Sequence, residues 1–138
     1  MSLGTVLVVD DEPAVLKLVT TTLCSGGYMV LEAGDGLSAL DIAAQHPGPI
    51  DLLLTDVRMP GLTGPELCLR MRQGRPETRF LLMSGYPDCE VYGMAFLAKP
   101  FRIPDLLESI RRVLDAAPGQ PAEPARSAPG GSSSWRRR

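Results

Sequence analysis

The sequence predicts an α/β fold, a doubly wound parallel sheet with helices on both faces. Short apolar segments alternate with longer segments in which apolar residues recur every three or four positions, and these are the patterns of strands and helices. Strands and helices that alternate in this way favour a parallel sheet with right-handed crossovers. The chain has 138 residues, 44% of them hydrophobic, which is enough for one domain with a substantial core.

Five segments are expected to form strands, because each is short, mostly apolar and bounded by turn-forming or charged residues. Several are apolar at consecutive positions, which is typical of parallel strands that are covered on both faces. The expected strands are residues 5–9, 29–32, 51–55, 80–83 and 95–98.

Two helices are expected after the first two strands. Pro13 suits the first turn of one helix, which the pair Gly26-Gly27 would end. Asp35 is a good N-cap for the other helix. The expected apolar stripes are Val15, Leu18, Val19, Thr22 and Leu23 in the first helix, and Leu37, Leu40 and Ala44 in the second.

Two further helices are expected later in the chain. Thr63 and Glu66 have the spacing of a capping box, ahead of the apolar residues Leu67 and Met71. The last helix has the clearest apolar face. That face comprises Ile103, Leu106, Leu107, Ile110, Val113 and Leu114, with Glu108, Arg111 and Arg112 opposite.

Composition argues against several classes of function. The formal charge of -2, from 14 Lys and Arg against 16 Asp and Glu, gives no basic field that would draw the chain to nucleic acid or an anionic membrane. No apolar segment approaches the ~20 residues of a membrane span. The odd set Cys24, Cys68 and Cys89 indicates neither a disulfide framework nor a zinc site. A reduced, cytoplasmic protein is therefore expected.

The C-terminal segment differs in composition from the rest of the chain. Residues 117–138 are rich in Pro, Gly, Ser and Ala and show no apolar period. Such a segment is expected to be a disordered tail or a linker. The folded domain is therefore expected to comprise residues 1–116.

Two of the expected strands end in carboxylates. Asp10 and Asp11 follow the first strand, and Asp56 follows Leu-Leu-Leu-Thr in the third. An acidic pair alone is weak evidence, because acids are common at helix starts, but the carboxyl ends of parallel strands meet at one crevice. Two carboxylates ~4 Å apart at a dielectric of ~20 repel by ~4 kcal/mol. Three of them need protons or a cation, and Mg²⁺ suits their oxygen ligands.

A hydroxyl and an ammonium group are expected at the same crevice, because Ser84 follows the fourth strand and Lys99 follows the fifth. Taken singly, such residues are usually turn or solvated residues. Four strand ends with complementary groups instead favour an in-line phosphoryl transfer, in which catalysis consists mainly of positioning and charge neutralisation. Asp56 is the candidate phosphoacceptor.

Four segments carry a resemblance to a known family. VLVVDDEP, LLLTDVRMPGLTGPEL, FLLMSGY and FLAKPF occur in this order over nearly the whole folded part. With them the sequence resembles the CheY-like receiver domains of two-component response regulators, and in the last two segments it resembles receivers that end hybrid histidine kinases. The resemblance implies a flavodoxin-like sheet with strand order 2-1-3-4-5.

The resemblance also implies a phosphoacceptor and a metal site. Asp56 would take a phosphoryl group from the phosphohistidine of a sensor histidine kinase or phosphotransfer domain, or from a small phosphodonor. Asp11, Asp56 and the backbone carbonyl of Arg58 would bind Mg²⁺, or Mn²⁺ in its place. Asp10 would act on the metal mainly through water.

The resemblance assigns three further residues. Ser84 and Lys99 would contact the phosphoryl oxygens, and Phe96 would be the aromatic switch residue that responds to movement of the Ser84 hydroxyl. The Lys99-Pro100 bond would be cis, which is plausible because the second residue is proline. The domain would catalyse its own phosphorylation and dephosphorylation, yet act mainly as a signalling switch.

The segment between Ser84 and Lys99 is shorter than is usual in this family. The fourth helix is therefore expected to be shortened or absent. The family commonly dimerises and signals through that helix and its neighbours, so the output surface and a weak homodimer stay open.

Two other functions were considered, of which the first stays open and the second is disfavoured. One is a constitutive interaction module with a receiver fold and little phosphorylation-dependent switching. The other is a haloacid-dehalogenase-type phosphatase, which requires an Asp two residues after its strand-end nucleophile, where this chain has Glu12 after Asp10. A histidine phosphodonor is disfavoured, because the single histidine, His46, precedes Pro47 in an expected turn.

Overall fold

The structure is a computed structural model that describes residues 2–85 and 94–116. Its elements are β1 (Thr5–Val9), α1 (Pro13–Ser25), β2 (Met29–Ala33), α2 (Gly36–Gln45), β3 (Leu52–Asp56), α3 (Gly64–Gly74), β4 (Arg79–Ser84), β5 (Ala95–Ala98) and α4 (Ile103–Asp115). The strands form one parallel sheet in the order β2-β1-β3-β4-β5. This confirms the predicted fold, and each end of each strand lies within one residue of its expected position.

Both faces of the sheet are covered by helices. Successive side chains of a strand point to opposite faces, so Val6 and Val8 lie in the core with α1 and α4, whereas Leu7 and Val9 lie in the core with α2 and α3. All four side chains are fully buried. The first polar side chain after this apolar run, that of Asp10, therefore lies at the carboxyl end of β1.

Local capping fixes where α2 and α3 begin, as predicted. The carboxylate of Asp35 accepts a hydrogen bond of 2.8 Å from the backbone N–H of Ser38. Thr63 and Glu66 form a reciprocal capping box, with bonds of 3.3 Å and 2.9 Å. Each pair satisfies N–H groups that have no partner within the helix.

The predicted apolar stripes of α1 and α2 are partly wrong. Leu18 is 51% exposed and Leu37 is 66% exposed, while Ala39 and Ala43 are the residues of α2 that are buried against the sheet. Small side chains at this contact allow α2 to lie close to the sheet. The larger leucine of the same helix is consequently left on the outer side.

Two expectations fall on residues that the structure does not describe. The shortened or absent fourth helix falls on residues 86–93, which also include Cys89, and the tail falls on residues 117–138. Within the described residues there are four helices. None of these is long and apolar enough to cross a membrane.

Candidate functional site

Four polar side chains meet at the carboxyl edge of the sheet. Asp10 directly follows β1, Asp56 ends β3, Ser84 ends β4 and Lys99 directly follows β5. Because β1, β3, β4 and β5 are consecutive in the sheet, their ends adjoin one another at the crevice where α/β sheets bind ligands. Asp10 is 1% exposed, Ser84 2% and Asp56 9%. The residues predicted from separate segments thus form one site.

The ammonium group of Lys99 connects the two buried carboxylates. Its Nζ donates to Oδ2 of Asp10 at 2.9 Å and to Oδ2 of Asp56 at 3.2 Å. Oε1 of Glu12 lies 3.8 Å from the same nitrogen, on a side chain that is 65% exposed. Lys99 therefore offsets the negative charge of a pocket whose carboxylates would otherwise repel one another.

Glu12 is a site residue to which the sequence pattern assigned no role. Its proximity to Lys99 arises because Glu12 precedes α1 at the rim of the crevice, and its backbone N–H donates to Oδ1 of Asp10 at 2.9 Å. The sequence run Asp-Asp-Glu does place Glu12 next to the site. Acidic residues are so common before a helix, however, that this position could not show that Glu12 lies beside Lys99.

Asp10, Asp11 and Asp56 form an acidic cluster suited to a hard cation. One carboxylate oxygen from each lies within 4.8 Å of the others. Asp10 and Asp56 are buried and Asp11 is exposed, so the cluster opens to solvent at Asp11. Oxygen ligands of this type are those that Mg²⁺ and Mn²⁺ prefer, and one lysine does not balance three carboxylates. The residues present therefore fit a divalent metal.

Burial and neighbouring charges shift the pKa values of Asp56 and Lys99, the two charged groups at the centre of the site. Burial raises the pKa of Asp56 above its usual range; attraction to Lys99 opposes this, and the nearby charge of Asp10 adds to it. Burial acts to lower the pKa of Lys99, but the hydrogen bond to Asp10 and attraction to Asp10 and Asp56 together raise it. Lys99 is consequently held as an ammonium, and any further positive charge beside Asp56 would favour the ionised form of its carboxyl group.

The acceptor loop, residues 57–63, joins Asp56 to α3. The N–H of Val57 donates to the carbonyl of Met83 at 2.9 Å, and the N–H of Gly64 donates to the carbonyl of Val57 at 2.9 Å. A Cβ at Gly64 would overlap the carbonyl oxygen of Asp56. Glycine is thus the residue that lets α3 begin directly against the backbone of Asp56.

The remaining expected site residues border this pocket. The Lys99-Pro100 peptide bond is cis, and the N–H of Lys99 donates to the carbonyl of Ser84 at 2.8 Å. Phe96 is half-buried and is paired in register with Leu82 of β4, on the side of the sheet covered by α2 and α3. The side chain of Arg58 is exposed. The structure therefore places Phe96 within a strand adjoining Ser84, and Arg58 at the surface.

Comparisons with known proteins agree on one family. The model of the response regulator receiver domain matches residues 6–111. The chain is 36% identical over 121 residues to the sensor kinase CckA of Brucella abortus (strain 2308), covering 81% of this chain and 13% of the kinase.

Solved structures give the same result. The receiver domain from the hybrid histidine kinase CckA is 41% identical, with a TM-score of 0.72 over 80% of this chain and 99% of that one. The response regulator protein TrrA from Thermotoga maritima, crystallised in complex with Mg²⁺-BeF, is 27% identical, with a TM-score of 0.71 over 80% of this chain and 99% of that one.

The segment matched by the family model includes the whole site. Residues 6–111 contain Asp10, Asp56, Ser84 and Lys99 together with the four strand ends that meet at the crevice. The family match therefore covers the same part of the chain that forms the sheet and the site. The chain belongs to the response regulator receiver domain family and is a phosphoacceptor of two-component signalling.

Proposed function

We propose that Asp56 is the residue that accepts the phosphoryl group. The observation that carries this proposal is the position of Lys99, whose Nζ lies 3.2 Å from Asp56 and 2.9 Å from Asp10. Asp56 is the carboxylate that ends a strand at the centre of the crevice, and Asp10 beside it is almost fully buried. A carboxylate with a cation beside it is well placed both to attack a phosphorus atom and to hold the resulting charge.

The donor is the phosphohistidine of a sensor histidine kinase or a phosphotransfer domain, the partners with which receiver domains interact. An oxygen of Asp56 forms a bond to phosphorus, the bond between phosphorus and the histidine nitrogen breaks, and that nitrogen recovers a proton from water. Hydrolysis returns the domain to its unphosphorylated state: water attacks phosphorus, the bond between phosphorus and the Asp56 oxygen breaks, and inorganic phosphate and the free carboxylate are released. The domain thus promotes both steps while acting as a switch.

A divalent metal, Mg²⁺ or Mn²⁺, completes the site. Asp11 and Asp56 would bind it directly with the backbone carbonyl of Arg58, and Asp10 through water. When bound, the metal would neutralise negative charge on the transferring phosphoryl group. The acidic cluster within 4.8 Å and the Mg²⁺-BeF complex of the similar regulator TrrA support this assignment.

Ser84 and Phe96 would convert phosphorylation into a conformational signal. The hydroxyl of Ser84 and the ammonium of Lys99 would contact phosphoryl oxygens. Phe96 belongs to the strand paired with β4, which ends in Ser84, and its partial burial leaves it room to change rotamer. The likeness to the receiver of a hybrid kinase supports a hybrid-kinase context for this chain.

Labelling by a small phosphodonor tests the acceptor directly. Phosphoramidate with Mg²⁺ should add one phosphoryl group to the wild-type chain and none to Asp56→Asn, as measured by intact-mass spectrometry. Asp41→Asn is the matched control, because Asp41 is an exposed carboxylate on α2 outside the crevice, and it should label normally. Undiminished labelling of Asp56→Asn would refute the assignment.

Switching is tested separately from labelling. Beryllofluoride with Mg²⁺ should shift amide resonances at Ser84 and Phe96 of the wild-type chain. A spectrum that beryllofluoride leaves unchanged in a protein that labels on Asp56 would instead indicate a constitutive interaction module.

A further inference from the structure

The side chain of Leu62, in the acceptor loop, lies directly on the backbone of Gly36, the first residue of α2. A Cβ built on Gly36 would stand 2.7 Å from Cβ of Leu62 and 2.9 Å from its Cδ2. Gly36 is buried, and Leu62 packs partly buried against the core shared by α2 and α3. The acceptor loop therefore packs against α2, although the helix that follows it in the chain is α3.

The rest of the acceptor loop is held at its two ends. Met59 is buried and its Sδ accepts a hydrogen bond of 3.9 Å from Oγ1 of Thr55. At the other end the N–H of Gly64 bonds to the carbonyl of Val57. Leu62 lies between these anchors and provides a lateral contact with α2.

Arg58 lies within this anchored segment, although its side chain is exposed. The residues on either side of it, Val57 and Met59, are both buried. The position of the Arg58 backbone consequently depends on how its buried neighbours Val57 and Met59 are packed.

We propose that Gly36 and Leu62 are positioning residues for the phosphoryl-transfer site. Their contact fixes the distance of the acceptor loop from α2 and so places the backbone carbonyl of Arg58 where it would bind a divalent metal. This inference rests on the proposed function and extends it to α2, which contributes no side chain to the crevice.

A Cβ at position 36 cannot be accommodated by a rotamer change alone. Cβ of Leu62 is fixed relative to its own backbone, so a contact of 2.7 Å can be relieved only if the loop or the start of α2 moves. At Gly34, two residues earlier, no atom lies within 4 Å of an added Cβ. Gly34→Ala therefore provides a matched control for the added methyl group.

Direct metal binding tests the proposal without relying on activity. Mn²⁺ is titrated into the full chain, and free Mn²⁺ is followed by electron paramagnetic resonance. Gly36→Ala should weaken Mn²⁺ binding about tenfold, the scale seen when groups that orient metal ligands are altered, whereas Gly34→Ala should bind like the wild type. Circular dichroism at the same temperature verifies that each variant is folded. A Gly36→Ala affinity within about twofold of Gly34→Ala would overturn the proposal.

A second substitution distinguishes a specific contact from general damage. Leu62→Gly removes the three atoms nearest to a Cβ at position 36, which are Cβ, Cγ and Cδ2 of Leu62. Adding Gly36→Ala to Leu62→Gly should therefore weaken Mn²⁺ binding no further. An additional loss as large as that caused by Gly36→Ala alone would refute the contact. If Gly36→Ala does not fold, Leu62→Gly by itself should still weaken binding, and unchanged affinity would overturn the proposal.

The wild-type chain keeps this test separate from that of the proposed function. If the wild type neither binds Mn²⁺ nor labels with phosphoramidate, the proposed function fails. If it does both and Gly36→Ala binds equally well, only the role of Gly36 and Leu62 fails.

Discussion

The replacement of Gly64 by alanine tests how closely α3 must approach the phosphoacceptor. The added Cβ would overlap the carbonyl oxygen of Asp56 and lie 3.1 Å from Cα of Val57. Both of these are backbone atoms, so rotation of a side chain cannot relieve the overlap. Among the described residues, positive φ occurs at Gly4, Gly27 and Gly61, which means that the conformation of Gly64 is accessible to alanine and the expected effect is purely steric.

The size of the effect follows from the displacement that is required. The backbone of Asp56 and the start of α3 must separate by about 1 Å, and a misplacement of that size can slow a catalysed step about 10²-fold. Overpacking of this kind also lowers the free energy of unfolding by about 1–3 kcal/mol. Gly64→Ala should therefore fold less stably and accept phosphoryl groups much more slowly.

The rate of labelling by phosphoramidate in Mg²⁺ and urea unfolding measure these two effects. Gly74→Ala, at the end of the same helix, is the matched control, because no atom lies within 4 Å of its added Cβ. It should label normally and be up to about 1 kcal/mol more stable, since alanine is favoured over glycine in helices. If Gly64→Ala labels as fast as Gly74→Ala, the close approach does not position Asp56 and the reasoning is refuted.

Two further predictions concern a buried thiol and the charged pair. Burial raises the pKa of Cys68 to about 12, whereas Cys24 is exposed. In a Cys89→Ser background, a thiol reagent near pH 8 should therefore modify Cys24 rapidly and Cys68 only after unfolding. Rapid modification of both cysteines in the native protein would contradict this prediction. Lys99→Gln should cost about 1–3 kcal/mol of unfolding free energy at neutral pH, because it leaves a buried carboxylate without its partner. The folded-state pKa of Asp56 is raised, so its carboxylate becomes protonated as the pH falls. The loss of unfolding free energy caused by Lys99→Gln should therefore be smaller at acidic pH. If urea unfolding gives a loss that does not depend on pH, this prediction is wrong.

Several features could be predicted from the sequence because their causes are local. The caps at Asp35 and Thr63 involve residues three positions apart, and the strand periods depend on neighbouring side chains. The polar residues that end the strands were equally visible, because each interrupts an apolar run. Since parallel strands present their carboxyl ends at one edge of the sheet, the pattern was enough to bring Asp10, Asp56, Ser84 and Lys99 together.

Other features were decided by the tertiary structure. The face of α2 that is buried, with Ala39 and not Leu37, depends on how closely the helix packs on the sheet, and the pattern of α2 allows more than one face. The approach of Glu12 to Lys99 and the seating of Leu62 on Gly36 join residues far apart in the chain. No repeating pattern in the neighbouring sequence indicates such contacts. The sequence by itself determined the fold and the chemistry of the strand ends, and only the packing of α2 and α3 decided how the loop beside Asp56 is held, because that depends on interatomic distances and not on residue type.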